Sequence, residues 1–99
     1  MGRNPETATE AMSFVKRTSL WDELPERAQN LVATAVQEAF TDPKKRQPLR
    51  ADLTQGEELD FNLIDPLLKR VGVVLDRQYQ PDAKRRESVI IKPRLTFKP

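Results

Sequence analysis

The chain has neither cysteine nor histidine among its 99 residues. Without thiols there is no disulfide framework and no thiolate for a metal, and without imidazole the commonest proton carrier near neutral pH is missing. Glycine is scarce as well, at three residues, and no glycine-rich phosphate loop, nucleophile elbow or zinc pattern occurs. Aromatic residues make up 6% and do not interleave the basic runs, so the stacking surface of a single-strand nucleic-acid binder is absent. No apolar stretch approaches the roughly 18 residues of a membrane span, and the N-terminal stretch lacks the apolar centre of a secretory signal. These absences predict a soluble, cytoplasmic protein without catalytic residues, cofactor, metal or small-molecule substrate.

What the chain has is charge and proline. Charged residues are 32% against 37% hydrophobic, with eight prolines, so the core must be lean. The net charge is only +2 but unevenly placed. Residues 41–50 hold four basic groups and one acidic, residues 51–66 five acidic and no basic, and residues 83–99 six basic and one acidic. An acidic middle thus lies between two basic segments, which can attract each other or face different partners. Four of its carboxylates, Glu57, Glu58, Asp60 and Asp65, do not match calcium-loop spacing and read as a solvated helix start or a docking surface for basic groups.

One helix is marked at both ends. Over Leu24 to Phe40, apolar residues recur at steps of three and four. Pro25 suits the first helical position, Glu26 suits the positive pole of the helix dipole, and Asp42-Pro43 stops the run. Asn4-Pro5-Glu6 is expected to open a weaker helix running to about Arg17, and Ser19 to Leu24 a turn or short helix. A further helix is expected from about Asp60 to Val71. Pro66 either opens it with Asp65 as cap or kinks it, and Gly72 supplies the left-handed residue after its last turn. Residues 41–58 read as a long connecting loop, residues 1–4 as a flexible N-terminus, and 1–99 as one small domain.

The period then changes from helical to two. Val73 to Gln80 alternates, and in Ser88 to Lys98 the residues Val89, Ile91, Pro93, Leu95 and Phe97 share one face opposite Lys92 and Arg94. With the polar segment Pro81 to Glu87 between them, residues 73–98 predict an antiparallel hairpin. The fold class expected is therefore α+β: two or three helices followed by a C-terminal hairpin. Pro93 cannot donate to a ladder, which places the second arm at a sheet edge or makes it an extended tail beyond Lys92.

Two functional expectations follow. The first is a non-catalytic binding protein, whether regulator, inhibitor, adaptor or assembly subunit, that contacts another protein or a second copy of itself. Its contact would be that last strand, with Val89, Ile91, Leu95 and Phe97 as the apolar edge and Lys92 and Arg94 steering an acidic partner. The second starts from Lys84, Arg85 and Arg86 at the hairpin tip and Lys44, Lys45, Arg46 and Arg50 in the connection. The order of helices followed by a basic-tipped hairpin resembles winged-helix DNA-binding domains. That resemblance implies DNA or RNA contact by the tip, with salt-sensitive affinity.

Overall fold

The computed structural model describes residues 4–52, 59–81 and 87–97. The expected flexible N-terminus, except for Asn4, falls outside these residues, as do the hairpin tip and residues 53–58 of the connection. The described chain is an α+β fold with four helices, α1 (Ala8–Lys16), α2 (Ser19–Glu23), α3 (Glu26–Ala39) and α4 (Phe61–Lys69). Its three strands are β1 (Leu49–Asp52), β2 (Val73–Pro81) and β3 (Glu87–Leu95).

Local chemistry sets the helix ends. Thr7, not Asn4, caps α1: its Oγ1 accepts the Glu10 amide at 3.1 Å, while the Glu6 amide reaches back to the Glu10 carboxylate at 3.5 Å. This reciprocal pair satisfies two amides at once, which a lone Asn-Pro start does not. α3 begins one residue later than expected, with Pro25 as its extended cap, and buries Ala28, Val32, Ala35, Val36 and Ala39. Asp60 caps α4 through the Asn62 amide, so Pro66 lies inside the helix. Pro66 has no amide to offer the carbonyl of Asn62, which lies in the exposed first turn of the helix.

The connection after α3 is more structured than its composition suggests. It holds a 3-10 turn over Pro43–Lys45, capped by Asp42, and then β1, an element missing from the expected hairpin. The sheet is antiparallel in the order β1-β3-β2. Leu49 to Asp52 pairs with Ile91 to Ser88, and Val73 to Pro81 pairs with Leu95 to Glu87. The C-terminal arm is therefore the middle strand and not an edge, which corrects the sequence expectation.

Val89 and Ile91, both at 0% exposure, face the helices together with Ala51, Leu75 and Val73. Ile64, Leu67 and Leu68 of α4 and Val32 and Val36 of α3 cover them. The fold is a helical layer on one face of a short sheet. The opposite face carries Arg50, Asp76, Gln78, Lys92 and Arg94, all exposed.

Candidate functional site

The hydrogen-bond phase of the sheet shows which backbone groups are free to bind. The Thr96 amide donates to the Gly72 carbonyl at 2.9 Å. In an antiparallel ladder the bonded pairs recur every second residue, and the register from Val73 to Pro81 is unbroken. Val74, Asp76 and Gln78 therefore exchange bonds with β3. The amides and carbonyls of Leu75, Arg77 and Tyr79 point the other way, to the outer rim of β2. By the same phase Val89, Ile91, Pro93 and Leu95 turn toward β1, and only Arg50 and Asp52 face the outer rim of β1.

Pro93 is thereby explained. Its missing donor faces the flank of β3 beyond Leu49, where β1 does not reach. On the other side the amide of Gln47, the residue that would stand opposite Pro93, is taken by the Glu38 carboxylate at 2.7 Å, so the β1 ladder stops from both directions. The gap left there is an open notch of about 420 Å³ floored by Pro93.

The residues expected to bind protein are split by this arrangement. Val89 and Ile91 are in the core and cannot serve as contacts, because β3 is flanked by strands and roofed by helices. Leu95 and Phe97 are partly buried. Phe97 lies edge-on to Phe40 with ring centroids 6.2 Å apart, over Gly72, where an added Cβ would stand 2.2 Å from the Phe97 ring. Gly72 has φ 75°, so both its backbone and its space require glycine. Lys92 and Arg94 are exposed, but Arg94 Nε donates to Asp76 Oδ2 at 2.7 Å.

The candidate nucleic-acid residues are divided as well. Lys84, Arg85 and Arg86 lie outside the described residues. Lys44 and Lys45 are exposed in the 3-10 turn. Arg46 is turned inward and closes the end of α3, with Nη2 donating to the Ala39 carbonyl at 2.7 Å and Nε to that of Thr41 at 3.0 Å. A guanidinium at the negative pole of a helix does structural work, and two of its donors are engaged there.

A cluster that sequence reading did not single out stands on the rim of β2. Arg77 Nη1 meets both carboxylate oxygens of Asp65, at 2.7 and 2.9 Å, and its guanidinium lies 4.5 Å from the centre of the Phe61 ring. The Asp65 hydrogen bond holds the Arg77 pKa above its ordinary value, against burial that lowers it, with a smaller contribution from Tyr79. A raised basic pKa stabilises the fold fully below the unfolded value and loses that contribution only as pH rises through the folded one, so Arg77 stays charged at neutral pH. The available signal was Arg77 on the apolar side of its strand, where a buried charge needs a partner. That the partner would be Asp65 depended on how α4 lies over β2.

Tyr79 lies next along that face and is 59% exposed, the most exposed of the large apolar side chains among the described residues. The outer rim of β2 thus runs through Leu75, Arg77 and Tyr79 with no strand beside it among the described residues. Both charges of the strand are paired within the chain: Arg77 with Asp65 and Asp76 with Arg94. Edge strands usually keep free charges to discourage pairing, and here they are neutralised.

Compared with known proteins, the chain matches no family model, no curated protein and no solved structure. Among the described residues, fold and geometry define an α+β protein with an open-edged three-stranded sheet. Among the described residues no group of three carboxylates could hold a metal ion, and no helix is long and apolar enough to cross a membrane.

Proposed function

We propose that the protein is a non-catalytic cytoplasmic binding protein that takes up another polypeptide as an added strand on the open edge of β2. The observation that carries this reading is the rim of β2, whose backbone donors and acceptors at Leu75, Arg77 and Tyr79 face away from the sheet while both of its charges are neutralised internally. Backbone hydrogen bonds to such an edge supply affinity, and the alternating side chains supply register. The binding strand expected from the sequence is thereby moved from β3 to its neighbour in the hairpin.

The test uses two blocked edges. Tyr79→Pro removes an outward donor of β2 without touching a bond to β3, and Arg50→Pro does the same on β1. In a pull-down from the native host, with nuclease present, partners retained by the native chain and by Arg50→Pro should be lost with Tyr79→Pro. Equal recovery with both variants would remove the reading.

A second reading is DNA or RNA binding. It is favoured by exposed Lys69 and Arg70 at the end of α4, on the chain just before the basic-tipped hairpin. Arg85→Glu combined with Arg86→Glu should then abolish salt-sensitive retention on a duplex at unchanged stability. No retention of the native chain at low salt would end this alternative.

A further inference from the structure

We infer that the strand taken up by β2 is β2 of a second copy, paired antiparallel about a two-fold axis at Gln78, so that two three-stranded sheets join into one of six strands. This rests on the strand-addition reading and names its occupant. A self-paired edge must satisfy three conditions at once: bonded residues opposite bonded residues, no like charges face to face, and cover for the exposed apolar side chain.

The phase derived above makes Leu75, Arg77 and Tyr79 the bonding residues. An axis at Arg77 would oppose two guanidinium groups. An axis at Asp76 would oppose two carboxylates. An axis at Leu75 would leave Tyr79 beyond the paired region, where the strand has turned into the end of α4. An axis at Gln78 places Arg77 against Tyr79 of the second copy, twice by symmetry, and Gln78 against Gln78.

Each Tyr79 ring is then covered by the stem and guanidinium of an arginine already held flat by Asp65 and Phe61. Pro81, which has no amide, ends the new ladder on both sides. The first residue of α4, Phe61, lies against Arg77, and Tyr79, the next residue on that face, is 59% exposed. The interface is a single strand pair, small against the roughly 1,200 Å² of stable complexes, and the dimer is accordingly a weak one.

The absence of cysteine gives a direct test. Across this axis the two Gln78 residues form a non-bonded pair with Cα atoms about 4.5 Å apart, within disulfide reach. Gln78→Cys should therefore oxidise to a covalent dimer much faster than Asp76→Cys or the control Asn30→Cys on α3. In sedimentation the native chain should dimerise with rising concentration. Gln78→Lys alone, or Gln78→Glu alone, should raise the dissociation constant about fivefold through like charges at the axis. Mixing the two should restore a heterodimer. Tyr79→Ala should raise it about tenfold.

A native chain that stays monomeric, or cysteine variants that cross-link at equal rates, would overturn the self-association and leave strand addition to its own pull-down test. A dimer in which the Arg77 and Tyr79 amides exchange as fast as in the monomer would likewise overturn the self-pairing of β2.

Discussion

The two rims of the sheet differ in length and in chemistry. The rim of β1 offers outward backbone groups at Arg50 and Asp52 only, and it is cut short at Pro48, the next outward position, which lacks an amide. The rim of β2 runs nine residues, with its two charges bound to Asp65 and Arg94. One edge is short and ends at a proline that has no amide to offer. The other is left open, with the charges that would guard it turned to partners of their own chain. Edge protection is thus a property of each rim, and among the described residues only that of β2 is unprotected.

The comparison can be broken most strongly at the strand both rims share. Ile91→Ala removes a fully buried side chain that faces both helices and should cost about 4 kcal/mol in urea unfolding. Amide protection should fall on β1 and β2 alike. Gly72→Ala acts on one side only. A left-handed backbone costs alanine about 1–2 kcal/mol, and displacing Phe97 adds about as much, so a loss of about 3 kcal/mol is expected. Faster exchange should then appear at Thr96 and Val74, with Ala51 unchanged.

Smaller effects sharpen it. Arg46→Ala leaves the carbonyls of Ala39 and Thr41 without their donors and should cost about 1–2 kcal/mol, with fraying confined to the end of α3. Asp65→Asn removes a half-exposed partner and should cost less than about 1 kcal/mol. Its interest lies elsewhere: it returns a free charge to the rim of β2, so strand addition there should weaken although the fold hardly changes. In the monomer, exchange should alternate along β2, fast at Leu75, Arg77 and Tyr79 and slow at Asp76 and Gln78. On β1 only Arg50 and Asp52 should be fast. Uniform protection along β2 would refute the assigned phase.

Sequence periodicity was a good guide wherever one element met one core face. The stripe of α3 and the alternation of Val73 to Gln80 and of Val89 to Leu95 depend only on 3.6 and 2 residues per repeat, and they are seen as expected. Gly72 was legible for a similar local reason, since a residue after a last helical turn that must take positive φ is best served by glycine. β1 was not legible: four residues with two inward side chains, Leu49 and Ala51, are too few to establish a period.

Missing β1 changed the functional reading. With only two strands expected, the C-terminal arm had no second partner and looked like an edge, and Pro93 agreed. Once a third strand takes the outer position, the same proline marks only the place where that strand stops.

Composition and spacing by themselves determined the kind of molecule: an α+β chain with a lean core and no thiol or imidazole chemistry, because these are properties of residue identity and local repeat. Tertiary structure alone decided which strand is central, which rim is open and which charges are free. Strand order and ion pairing are set by contacts between residues far apart in the chain, Leu49 with Ile91, Asp65 with Arg77 and Asp76 with Arg94, and no local pattern encodes them.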